Sequence, residues 1–141
     1  MARYTLVIPG RLDNLNDYIS ACRTNQYKGS KIKASNEHKV LVAIYEQLGR
    51  LRIANPVQMR YRWYEKNKRR DLDNISSFGR KVIQDALVQA KVLKNDGWKN
   101  IIRFSDDFYL DPDNPRIEVD IEEIVETVLY SIHHTWIRSK A

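Results

Sequence analysis

Apolar positions change their period several times along the chain, and each change predicts an element. Residues 3–8, RYTLVI, are β-prone and stop at Pro9-Gly10, a turn pair, which predicts a first strand. Asp13 or Asn14 then offers a cap for a short helix through LNDYISACR. Residues 24–34, TNQYKGSKIKA, are polar and basic without a clear period, and predict a mobile arm or a loop. From Ser35 the pattern turns helical. Val40, Leu41, Ile44, Leu48 and Leu51 recur at three and four residues as one stripe, which Gly49 and Asn55-Pro56 bring to an end. Residues 57–64 alternate, with Val57, Met59, Tyr61 and Trp63 on one side and Gln58, Arg60, Arg62 and Tyr64 on the other. That is a half-exposed strand whose two arginines face outward, as solubilising residues or as phosphate contacts.

A second long helix runs from Asn74 to about Lys91. Its buried stripe is Ile75, Phe78, Val82, Ile83, Ala86, Leu87 and Ala90, and Gly79 costs it a little stability. Asn95-Asp96-Gly97 reads as a turn. Residues 100–110 and 116–121 predict two more strands joined by the turn Asp111–Pro115. Residues 122–137 predict a last helix with Ile124, Val125, Val128, Leu129, Ile132 and Trp136 on one side. The order is β-α-α-β-α-β-β-α, so the fold class is α/β or α+β, a mixed sheet packed with helices, in one domain over residues 1–141.

Composition adds three limits. No apolar run approaches the roughly 20 residues that span a bilayer. MARYTLVIPG has no small-residue cleavage site and reads as a strand rather than a signal peptide. Cys22 is the only cysteine, so no internal disulfide or cysteine-based zinc site forms; together these predict a cytoplasmic protein. Charge is more informative than composition. Residues 1–70 carry 15 Lys/Arg against 5 Asp/Glu, whereas residues 71–141 carry 9 against 13. A basic half fits a polyanionic partner, of which nucleic acid is the commonest, and equally fits a protein kept basic for solubility.

The sign changes inside one stretch, Lys66-Asn67-Lys68-Arg69-Arg70-Asp71-Leu72-Asp73-Asn74. Asp71 and Asp73, two apart at a strand end, share a side if the extended conformation persists, and a hard cation such as Mg²⁺ takes a few carboxylates plus water and substrate phosphate. A bare pair of this kind fits helix capping as well. On a helical wheel Asn74, Lys81 and Asp85 fall within about 40° of one another, away from the apolar stripe. A lysine there can stabilise a developing phosphorane charge, or simply pair with Asp85 at four residues. The turn at Asn95-Asp96 can return a third carboxylate towards the helix. His38, His133 and His134 have no zinc-ligand spacing.

RRDLDN, Lys81 four residues before Asp85-Ala86-Leu87, and then Asn95-Asp96 together resemble the RusA family of Holliday junction resolvases, small phage and prophage endonucleases. IPGRLDNLNDYI resembles the family's opening strand, turn and helix, and the similarity covers roughly residues 3–121. The resemblance implies a homodimer with a mixed α/β fold. It implies binding of four-way DNA junctions and Mg²⁺- or Mn²⁺-dependent paired nicks in two opposing strands, in DNA recombination and repair. It implies Asp71, Asp73 and Asp96 as metal ligands and Lys81 as the catalytic lysine, with Asp85 a weaker candidate. Lys66, Lys68, Arg69 and Arg70, with Arg60 and Arg62, are then expected to hold DNA phosphates. Two readings stay beside it: a DNA-binding or assembly protein without the chemistry, and a metal nuclease of flaps or other branched DNA. This chain carries about four residues more between Asn74 and Lys81 than the family's compact form, close to one turn or about 6 Å of helix. It also has Ala90-Lys91 where the family often has Ala-Gly, which predicts a different helix end.

Overall fold

The structure is a computed structural model that describes residues 2–124 of the 141. Among these residues the elements run β1 (Arg3–Pro9), α1 (Leu15–Thr24), α2 (Gln26–Gln47), β2 (Val57–Glu65), α3 (Leu72–Gln89), β3 (Ile101–Leu110) and β4 (Arg116–Glu123). The strands form one mixed sheet in the order β1-β4-β2-β3. β4 runs antiparallel to both β1 and β2, and β3 runs parallel to β2. Parallel neighbours need a long crossover, and α3 supplies it. The expected α+β class with a mixed sheet is what forms. The Asp111–Pro115 turn does not make a hairpin, because β2 lies between β3 and β4; it passes the end of β2, where the Asp111 amide donates to the Glu65 carbonyl at 2.8 Å.

Alternation decides the two faces of the sheet. Leu6 and Ile8, Met59, Tyr61 and Trp63, and Ile117, Val119 and Ile121 are buried in one cluster with Val40, Ile44, Val82, Ile83 and Leu87 of the helices. The other face carries arginines and carboxylates. Gly79 is required where α3 crosses β2. A Cβ at that position would lie 2.7 Å from the Trp63 ring, so the glycine that costs the helix a little propensity is the one that lets helix and strand touch.

Three expectations change. Residues 24–34 are not a loop: α2 begins at Gln26, capped by Asn25, whose side chain accepts from the Lys28 amide. Its polar first turns hide a close helix–helix approach, since a Cβ on Gly29 would meet Cys22 Sγ of α1 at 2.5 Å. At the other end, Glu122 and Glu123 do not open a helix. They finish β4, pairing with Arg3 and Val57, and the remainder of the expected 122–137 helix beyond Ile124 lies outside the described residues. Third, α3 ends as a glycine would end it. Lys91 itself takes a left-handed φ of 63°, with the Val92 amide donating to Leu87 O and the Lys91 amide to Val88 O.

Candidate metal and nucleic-acid site

The KNKRRDLDN stretch is the link from β2 into α3. Arg70 fixes it. Its guanidinium donates to both Glu65 carboxylate oxygens at 2.8 and 2.9 Å and to the Leu12 carbonyl at 2.8 Å. Glu65 is 5% exposed, so this is a bidentate pair shielded from water that ties the loop to the end of β2. Arg70 is therefore spent on the fold. Lys66, Lys68 and Arg69 are exposed, and none of them enters an ion pair among the described residues. They project beside a groove lined by Asn67, Asp71, Leu72, Tyr109 and Leu110.

Asp71 is the N-cap of α3, and its carboxylate makes no cap hydrogen bond. Asp73 stands in the first turn. Both are exposed, and neither takes part in an ion pair among the described residues. Capping thus leaves both carboxylates available. Their oxygen chemistry fits a hard divalent cation that completes its shell with water and phosphate. The helix N-terminus behind them also attracts anionic groups such as a DNA phosphate.

Lys81 and Asp96 come together elsewhere. Lys81 lies eight residues beyond Asp73, about 12 Å along the helix. Its Nζ contacts Asp85 at 3.1 Å and Asp96 at 3.3 Å. Asp85 and then Asp96 raise the Lys81 pKa above the ordinary lysine value, which keeps the ammonium charged. Lys33 reaches the same Asp85 at 3.1 Å. No sequence signal marks Lys33 for this cluster, because residues 24–34 show no clear period; the helix that carries it is capped by Asn25. Asp96, expected as the third ligand, is therefore held by a lysine two turns away from Asp71 and Asp73. Among the described residues no group of three His, Cys, Asp or Glu side chains is placed to hold one ion.

Arg60 and Arg62, expected as phosphate contacts, sit on the open face of the sheet inside an ion-pair lattice. Arg60 meets Asp107 at 3.2 Å, while Arg62 meets Glu118 at 3.1 Å and binds both oxygens of Asp120. Asp120 also accepts from Arg3 at 2.6 Å and Thr5 at 2.8 Å. Burial alone would raise the Asp120 pKa; Arg62, Arg3 and Thr5 outweigh it and hold the carboxyl well below its ordinary range.

The mouth of the βαβ unit thus carries an acid pair and flanking cations that enter no ion pair among the described residues. The family model for "Endodeoxyribonuclease RusA" matches residues 2–122. The chain belongs to the RusA endodeoxyribonuclease family, and its coarse class is that of a DNA-binding endonuclease. Among curated proteins none matches the chain.

Proposed function

We propose that the chain is a divalent-metal-dependent endonuclease that resolves four-way DNA junctions as a homodimer in the bacterial cytoplasm. The observation that carries this reading is the contrast in pairing: Asp71, Asp73, Lys66, Lys68 and Arg69 are all exposed and enter no ion pair among the described residues. Asp71 and Asp73 would hold Mg²⁺ or Mn²⁺, which when bound lowers the pKa of a water and neutralises charge on the scissile phosphate. Lys66, Lys68 and Arg69 position the backbone without reading sequence. Lys81, held charged by Asp85 and Asp96, supplies a fixed cation along the same helix. Asp96 is the third metal ligand by family resemblance and the partner of Lys81 by geometry. Metal affinity of Asp96→Asn decides between them: a loss puts it on the ion.

The test is a synthetic four-way junction incubated with Mg²⁺ and then with chelator. Paired symmetrical nicks that require metal support the proposal, and Asp71→Asn or Asp73→Asn should abolish them while junction binding and melting temperature stay. The separation of Asp96 from the acid pair favours a second reading, DNA binding without chemistry, which predicts junction binding and no nicks at any metal concentration. Nicks confined to flaps would instead make the protein a nuclease of other branched DNA.

A further inference from the structure

The sheet has two edges, and the protein treats them differently. On β1 the outward-facing amide and carbonyl of Val7 are both taken by Gln47: Val7 N–H donates to Oε1 at 2.7 Å, and Nε2 donates to the Val7 carbonyl at 2.6 Å. That amide imitates a neighbouring strand at one position of the edge, a common protection against unwanted pairing. β3 has no such cover among the described residues. It is a ten-residue edge strand paired only to β2. Phe104, Tyr109 and Leu110 on it, and Leu72 and Trp98 flanking it, are five of the eight exposed large hydrophobics among the described residues.

The backbone phase of the open edge follows from one hydrogen bond. Asp111 N–H donates to Glu65 O, so from Arg103 onward the odd residues of β3 turn their amides towards β2; before Arg103 the register shifts, and the Asn100 carbonyl accepts from the Val57 amide. The amides and carbonyls of Phe104, Asp106 and Phe108 then point away from the sheet. Read about Ser105, the stretch Arg103-Phe104-Ser105-Asp106-Asp107 carries opposite charges at its two ends. Antiparallel pairing with a copy of itself about that residue sets Arg103 opposite Asp107 and Phe104 opposite Asp106, with Ile101 and Ile102 beyond, in the register shift. The outward-pointing even residues fall into the hydrogen-bonded pairs, and the small Ser105 sits at the axis, where side chains come closest. Arg103 is exposed and enters no ion pair among the described residues, so Asp107 of the copy, which meets Arg60 of its own chain at 3.2 Å, brings a shared carboxylate to a charge left open in one chain.

We infer that the β3 edge is the interface with a second copy of this chain, joined antiparallel about Ser105 into one continuous eight-stranded sheet. This rests on the homodimer proposed above and assigns it a surface and a register. A twofold contact of this kind is self-complementary by construction, which is what a closed dimer requires.

The experiment is site-directed cross-linking of the full chain in a Cys22→Ala background. Opposed residues in a non-hydrogen-bonded pair have Cα atoms about 4.5 Å apart, inside the roughly 4.4–6.8 Å window of a disulfide. Ser105→Cys should form a disulfide-linked dimer under mild oxidation, and Arg103→Cys, which faces Asp107 of the copy, should not. Arg103→Glu, measured by analytical ultracentrifugation, should weaken the dimer at least tenfold. A wild-type dimer that survives Arg103→Glu and in which Ser105→Cys fails to link places the interface elsewhere and overturns the inference, while leaving the nuclease reading intact. A wild-type chain that sediments as a monomer at all concentrations overturns the dimer itself. A cross-linked dimer that never nicks DNA supports the interface and counts against the nuclease alone.

Discussion

Cations and carboxylates crowd in two places, the open face of the sheet and the loop from β2 into α3, and they are used in opposite ways. On the sheet face Arg3, Arg60, Arg62 and Arg116 each meet a carboxylate within 3.2 Å. Arg116 also lies 3.8 Å over the Tyr64 ring, which stacks on Tyr109. Strand register sets opposite charges directly across from one another, so the face neutralises itself. The loop has no partner strand to do this. Its Lys66, Lys68, Arg69, Asp71 and Asp73 enter no ion pair among the described residues, and one short segment offers open charge of both signs. Residue type alone does not separate a binding surface from a structural one; the neighbouring strand does.

Exchanging the roles should break that comparison most visibly in catalysis. Asp73→Asn or Asp71→Asn should lower metal-dependent junction cleavage by at least about a hundredfold, beyond the loss typical of an outer-shell partner, with melting changed by less than roughly 0.5 kcal/mol. On the sheet face Arg62→Ala should do the reverse. It leaves Asp120, at 3% exposure, with only Arg3 and Thr5. The expected loss is about 2–3 kcal/mol, on the order of 10 °C in Tm, with cleavage per folded molecule retained. Equal behaviour of the two variants in both assays would erase the distinction.

Arg70 sharpens it, because it stands in the loop and behaves as a sheet-face arginine. Arg70→Ala strips buried Glu65 of its bidentate partner, leaving Arg11 at 3.5 Å, and should lower stability by about 2 kcal/mol in thermal melts. Lys68→Ala with Arg69→Ala should leave melting unchanged and reduce the salt dependence of junction binding, the log–log slope falling by about one per cation removed. If the two lysine and arginine losses instead destabilised the fold and Arg70→Ala spared it, the pairing seen around Glu65 would not be what holds the loop.

Most of the fold was legible because it rests on local periodicity. The stripes of α3 and of residues 40–51, the alternation of β2 and the turns at Pro9-Gly10 and Asp111–Pro115 all report burial directly. What escaped was set by distant partners. Residues 24–34 lack a stripe because Gly29 and Cys22 make the contact with α1, and close approach through a glycine leaves no apolar signature. Glu122 and Glu123 looked helical because their place opposite β1 and β2 is a matter of register. The candidate site divides the same way. The acid pair and the exposed cations were readable as a motif. That Arg60, Arg62 and Arg70 are engaged depends on Asp107, Asp120 and Glu65, and only the folded sheet brings two of those three near.

The smallest predicted effect is a pH dependence that belongs to the sheet face. Burial raises the pKa of Asp120 and Glu118, but the arginine hydrogen bonds outweigh it, so both fold with values below their ordinary 3.8 and 4.5. A carboxyl depressed by folding contributes stability that is present above its unfolded value and is lost as pH falls through its folded value. Wild-type Tm should therefore decline as pH drops from 5 towards 2, with Asp120 contributing to that decline. Asp120→Asn starts lower at pH 7, since the asparagine cannot return the charge of Arg62 and Arg3, and its decline should be shallower. Melting curves of both proteins at pH 7, 5, 3 and 2 make the measurement. A steeper acid decline in Asp120→Asn would mean that the lattice is not self-neutralising, and the contrast with the open charges of the loop would lose its physical basis.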